Sequence, residues 1–198
     1  MTKKKTAPVS DPPLIRSFKD QKAFAAWLEK NHRKVPGLWL RIAKKDSGVK
    51  SVTYPEALET ALCYGWIDGQ KKPESEKAWL QRFVPRRPRS LWSRINREKA
   101  LALIKSGQMK TGGLEEIERA KQDGRWDAAY DSPSRATVPS ELQTELDRHP
   151  RAAEFFKTLD RINRYAIIWR LTTAKKQETR EKLARKFLDM LEKGETLH

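Results

Sequence analysis

The chain has 198 residues, 37% of them hydrophobic with seven Trp and six Phe, and 34% charged, which is too aromatic for a disordered polymer and enough to build a core. Forty-two Lys and Arg against 26 Asp and Glu leave a formal charge of +16, which attracts phosphates, anionic lipid or acidic proteins at long range. The single cysteine, Cys63, excludes an intramolecular disulfide. Three prolines stand after Lys3, Lys4 and Lys5 where an export signal needs an apolar run, and no apolar stretch nears the ~18 residues of a membrane span, so the expectation is a soluble, cytoplasmic protein.

Residues 1–13 read as a flexible basic, Pro-rich tail. Ser17 or Asp20 caps a helix through Asn31 that buries Phe24, Trp27 and Leu28, and Pro36 and Gly37 end that region. Leu38–Ala43 alternates as a strand, with Leu38, Leu40 and Ile42 on one face. Thr53, Tyr54, Pro55 and Glu56 form a capping box, followed by Ala57, Leu58, Ala61 and Leu62 at helical spacing, and Gly65 stops that helix. Trp66–Asp68 reads as a short strand that turns at Asp68 and Gly69, with Ala78–Val84 as its partner and Pro85 closing it.

Ser93 is an N-cap for a helix to Ser106 with Ile95, Leu101 and Ile104 expected inward, and a second helix is expected over Leu114–Asp123. Asp131–Pro139 is loop chemistry. Beyond it come helices near Ser140–Arg148, Pro150–Lys157, Arg161–Ala174 and Gln177–Glu192. Ile162, Tyr165, Ala166 and Trp169 are expected to form one face of the third, and Leu183, Phe187 and Leu191 one face of the fourth. Arg180 falls on the apolar face of that last helix, which calls for a structural ion partner or a ligand. The fold class is therefore α+β: a small mixed sheet with packed helices over residues 14–130, then an all-helical segment over 139–198.

The chemistry of the common enzyme motifs is missing. No HExxH or GxSxG occurs, and Gly107 and Gly112 have the spacing of a phosphate loop but are followed by Gly113 and Leu114 where Lys and Ser or Thr are required. Three His and one Cys without a close pair argue against a metal site, and no cofactor is expected. No catalytic residue can be nominated.

Two constellations remain. In Gly65, Trp66, Ile67, Asp68, Gly69 a carboxylate next to an aromatic can line a pocket for a cationic group, although Asp68 also suits a hairpin turn and Trp66 a core. The second is a basic run in which Arg82–Lys99 holds seven basic residues and one acid. Arg82, Arg86, Arg87 and Arg89, with Ser90, Trp92, Ser93 and Asn96, bring guanidinium groups to a helix N-terminus, and both favour anions; the alternative is a solvated basic loop anchored by Trp92.

Taken together, Glu56, Ala57, Leu58, the Gly65–Gly69 run, and Phe83, Pro85, Arg86, Ser90, Trp92, Ser93 and Asn96 resemble the YdeI/OmpD-associated, or bacteriocin-protection, family. The likeness continues through Gly107, Met109, Gly113, Ala120, Gly124 and Trp126 to Trp169, Ala174, Lys175, Glu178, Thr179 and Arg180. It implies a role in tolerance of bacteriocins or antimicrobial peptides, and the family name implies association with an outer-membrane porin.

Three functions follow as expectations. The first is a non-enzymatic stress-tolerance protein that binds an anionic or peptide partner through Arg82–Asn96. The second is a nucleic-acid binder in which Trp79, Phe83 and Trp92 interleave with arginines to stack bases and pair phosphates. The third is a small-molecule enzyme with Asp68 and the arginines lining a pocket.

Overall fold

A computed structural model describes residues 14–198; the expected tail at 1–13 lies outside the described residues. The elements are β1 (Ile15–Ser17), α1 (Gln21–Asn31), β2 (Leu38–Ala43), α2 (Tyr54–Cys63), β3 (Trp66–Pro73), β4 (Ala78–Pro85), α3 (Arg94–Lys105) and α4 (Thr111–Gln122). Four more helices follow, α5 (Ser140–Arg148), α6 (Pro150–Thr158), α7 (Arg161–Thr173) and α8 (Gln177–Glu192). The α+β class is as the sequence implies. The described residues form two compact units, one from residues 14–90 with Lys99–Arg119, the other from Leu91–Glu98 with Ala120–His198.

In the first unit the strands lie in the order β1-β2-β4-β3, with β1 parallel to β2 and the other pairs antiparallel, so the sheet is mixed. Leu38 and Leu40 of β2 are fully buried and Ile42 nearly so, as alternation requires. Phe24 and Leu28 of α1 are fully buried as well, and the N-terminus of that helix is closed by Asp20 accepting from Ala23 N–H at 2.8 Å. Phe24 meets Phe83 at 5.9 Å between ring centroids. Trp27 meets Trp66 edge-on at 6.2 Å, and Trp66 Nε1 donates to the His32 carbonyl at 3.0 Å. At the start of α2, the Glu56 carboxylate accepts from both the Thr53 N–H and the Thr53 hydroxyl, each at 2.8 Å.

Asp68 and Gly69 do not turn the chain. β3 runs on to Pro73, Asp68 pairs with Phe83, and the register slips between Asp68 and Lys71. The glycine marks a bulge, where Gln81 Nε2 reaches across to the carbonyls of Gly69 at 2.9 Å and Gln70 at 3.3 Å and satisfies them. The reversal comes after Pro73, where Arg41 binds Glu74 through two nitrogens at 2.6 and 2.7 Å.

Helix α4 begins earlier than the periodicity indicates, at Thr111, because Gly112 and Gly113 carry no side chain to obstruct it. A Cβ on Gly113 would stand 2.6 Å from the Cys63 carbonyl and 2.7 Å from that of Leu62, and one on Gly112 would stand 2.9 Å from that of Tyr64. The last turn of α2 therefore lies backbone to backbone against the first turn of α4.

The second unit is built on Leu142, Leu146, Ala152, Phe156, Leu159, Ile167, Leu171, Phe187 and Leu191. Trp92 and Trp126 stack edge to face at 4.8 Å, and Arg97 Nη1 donates to the Trp126 carbonyl at 3.0 Å. Ser93 and Tyr130 form a short parallel bridge, with Tyr130 N–H donating to the Trp92 carbonyl at 3.0 Å and Arg94 N–H to the Tyr130 carbonyl at 2.8 Å. Two helix faces differ from expectation. Ala100 and Leu103 of α3 are buried, while Ile95, Leu101 and Ile104 are exposed. In α7 the inward face is Asn163, Ile167, Ile168 and Leu171, while Ile162 is 68% exposed.

Candidate functional site

The expected anion-binding residues divide between the two units, and each set is described within its own. In the first unit Arg82 sits on β4 opposite Trp39, its guanidinium 5.7 Å from that ring, and burial pulls its pKa down. Arg86 is buried and its N–H donates to the Gly65 carbonyl at 3.0 Å; Arg87 and Arg89 are exposed. The Ser90 hydroxyl accepts from the Arg87 N–H at 3.2 Å, closing a turn. In the second unit Trp92 is a core residue against Trp126, and Ser93 caps α3 by accepting from the Asn96 N–H at 3.2 Å. Protein atoms thus already engage the N–H groups of Arg94 and Asn96 in the first turn of α3.

Of the aromatic residues expected to stack bases, Phe83 and Trp92 are buried, and Trp79 alone is partly exposed. Trp66 is buried too. The Asp68 carboxylate accepts from the Tyr54 hydroxyl at 2.9 Å, and burial together with that carboxylate pushes the Tyr54 phenol far above its ordinary range. Trp66 and Asp68 both tie elements of the first unit together, and Trp66 also borders a recess of about 280 Å³ beside His32, Tyr64 and Gly65.

Within the second unit the chain forms a pocket of about 320 Å³ lined by Arg94, Tyr130, Asp131, Ser140, Glu141, Tyr165, Trp169, Thr172 and Arg180, among others. Its size lies at the lower end of the range for small-ligand sites. The Ser93–Tyr130 bridge places Arg94 and Asp131 side by side, 3.3 Å apart. Pro139 lies before the first turn of α5 and Glu141 within it, and Arg180 Nε of α8 lies 3.0 Å from the Glu141 carboxylate. Arg180 also donates to Gln177 Oε1 at 3.1 Å, which fixes the guanidinium plane. The ion partner that Arg180 requires from sequence is therefore Glu141.

The aromatic walls come from Tyr130 and Trp169, edge to face at 6.3 Å, and from Tyr165, whose hydroxyl donates to the Asp131 carbonyl at 2.8 Å. Burial pushes the Tyr165 phenol up, so it remains a neutral donor. The N–H of Glu141 itself, then the Ser140 hydroxyl and the Arg180 guanidinium, hold the Glu141 carboxyl below its ordinary range, so it is ionised at neutral pH. Sequence reasoning singles out Arg180 and places Tyr165 and Trp169 on one helix face, but gives no role to Tyr130, Asp131 and Glu141, which lie in or beside a segment that reads as loop.

Residues 135–194 match the model of a family described as bacteriocin-protection, YdeI or OmpD-associated. Residues 16–116, just over half of the chain, match a domain of unknown function (DUF8412). The chain belongs to the family of that domain and carries a YdeI/OmpD-associated segment after it. The resemblance read from the sequence is thus shown over the helical residues 135–194. No curated protein and no solved structure matches the chain. Among the described residues no group of His, Cys, Asp and Glu is arranged to hold a metal ion, and no helix is long and apolar enough to cross a membrane.

Proposed function

We propose that this YdeI/OmpD-associated protein is a non-enzymatic, cytoplasmic stress-tolerance protein that binds a peptide partner in the pocket of its helical unit. The observation that carries the reading is the arrangement of two ion pairs, Arg94 with Asp131 and Arg180 with Glu141, around walls of Tyr130, Tyr165 and Trp169. Such a pocket offers a guanidinium for a carboxylate, a carboxylate for an ammonium, and aromatic faces for an apolar side chain, which together are the recognition chemistry of a short peptide. A binding role suits Glu141, whose depressed pKa keeps it a fixed negative charge instead of a group poised to exchange protons. The bacteriocin-protection description of the matching family supports a peptide over other ligands.

The reading is tested by titrating the protein calorimetrically with short peptides that carry an aromatic residue beside one acidic and one basic side chain. Arg180→Gln and Trp169→Ala should each weaken binding about 10-fold, equivalent to about 1.4 kcal/mol. Affinity unchanged in both variants would remove the pocket from consideration.

A further inference from the structure

At the end of the sheet in the first unit, Lys44, Lys45, Lys71, Lys72, Pro73 and Trp79 line a recess of about 580 Å³, separate from the pocket of the helical unit. The four lysines are exposed, and no acid lines the recess among the described residues. The nearby Glu74 is bound by Arg41 through two nitrogens, and of the four lysines Lys72 also acts on its carboxylate. Lys71 Nζ lies 4.3 Å from the centroid of the Trp79 ring. Lys72 Nζ lies 4.4 Å from the centroid of Trp39, which Arg82 approaches at 5.7 Å; Trp39 pairs with Arg82 and Trp79 with Ile42, so the two rings stand on opposite faces of the sheet.

We infer that this recess binds single-stranded nucleic acid, with Trp79 as the ring on which a base stacks. An indole ring ranks among the best partners for both a cation and a base, and in this structure cations occupy that place on both rings. A base that stacks on Trp79 takes the position of Lys71 and releases its ammonium to an adjacent phosphate, while Lys44, Lys45 and Lys72 pair with further phosphates. Duplex bases are stacked on one another and are not available to the ring. A lone nucleotide engages the ring and a part of the four lysines, whereas a strand brings successive phosphates to all of them, which favours a polymer. The nucleic-acid reading of the sequence named Trp79, Phe83 and Trp92 among arginines; Phe83 and Trp92 are buried, and here Trp79 is kept with lysines in place of the arginines.

Fluorescence anisotropy of a labelled ten-nucleotide oligo-dT tests this with the whole chain. The expected result is salt-dependent binding, with log affinity falling by about 0.7 per phosphate contact for each decade of salt. Replacing Lys44, Lys45, Lys71 and Lys72 by Gln should weaken binding at least 10-fold and flatten that slope, whereas replacing Lys175, Lys182, Lys186 and Lys193 by Gln should change affinity less than 3-fold. Trp79→Ala should also lose at least 10-fold; if that variant fails to fold by circular dichroism, the exposed lysine variants decide the matter alone. Equal losses from the two lysine sets would reduce the effect to net charge and overturn the site. Equal affinity for a hairpin duplex, or full competition by ATP at the same phosphate concentration, would overturn single-strand binding in favour of a charge surface or a nucleotide pocket.

Discussion

Arg180 on α8 and Glu141 on α5 form an ion pair 3.0 Å apart whose members are one third and one fifth exposed, so the pair belongs neither to the open surface nor to the core. Glu141→Gln should lower stability by about 1 kcal/mol. Because the folded-state pKa of Glu141 is depressed, its stabilisation is fully present above the unfolded carboxylate value near 4.3 and is lost as pH falls through the lower folded value. Urea midpoints of the wild type and the variant should differ by a constant amount above about pH 5.5 and converge in acid. A gap that widens below pH 4 would show that the carboxyl is not held ionised.

Thr53 and Glu56 share one set of hydrogen bonds at the start of α2, and their contributions should not add. Thr53→Ala and Glu56→Ala should each cost about 0.5–2 kcal/mol, and the double variant clearly less than the sum. The check is a double-mutant cycle from denaturant midpoints. Additive losses would mean that the two side chains act on different groups.

Gly113 and Gly107 are both glycines near helix ends, yet they answer to different constraints. Gly113→Ala should destabilise by about 3 kcal/mol, since its Cβ would meet two α2 carbonyl oxygens and the gain in helix propensity is only about 1 kcal/mol. Gly107 has φ of 71° but open space around a Cβ, so Gly107→Ala should cost only about 1 kcal/mol of backbone strain. Thermal or urea unfolding of the two variants ranks them directly.

Cys63 is buried at the end of α2, and burial pushes its thiol up to about 11. At pH 8 the thiolate fraction should then be about two orders of magnitude below that of an unperturbed thiol. Native protein should react with a thiol-specific disulfide reagent at least 100-fold more slowly than protein in urea. Comparable rates would place Cys63 in contact with solvent.

Much of the fold was legible because local chemistry specifies it. Asp20 before α1, Thr53 and Glu56 at α2, Ser93 at α3 and the alternation of Leu38, Leu40 and Ile42 all act within a few residues of where they stand. Helix α7 was misread because apolar counting selects Ile162 and Trp169, whereas the inward position belongs to the polar Asn163. Its Oδ1 accepts from the Leu197 and His198 N–H groups, and its own N–H is capped by Asp160. Helix α3 has apolar residues on every side, so periodicity cannot choose between Leu101 and Leu103. The Asp68–Gly69 turn failed because Asp-Gly chemistry also suits a bulge, and only the length of β4 shows that β3 must continue. In the pocket, Arg180 announced itself as a charge on an apolar face, but Glu141 and Asp131 lie in distant parts of the sequence that no periodicity links to it.

The pocket is assembled from two stretches of chain that a shorter gene fragment would separate. Residues 135–194 supply Glu141, Tyr165, Trp169 and Arg180, while Arg94, Tyr130 and Asp131 lie upstream, joined through the bridge between Ser93 and Tyr130. Recombination that moves only the shared family segment onto another domain carries the helical core across intact and leaves one wall of the pocket behind. The full lining of the pocket is then not inherited with the segment, and chains that share it are free to differ in how that side is closed.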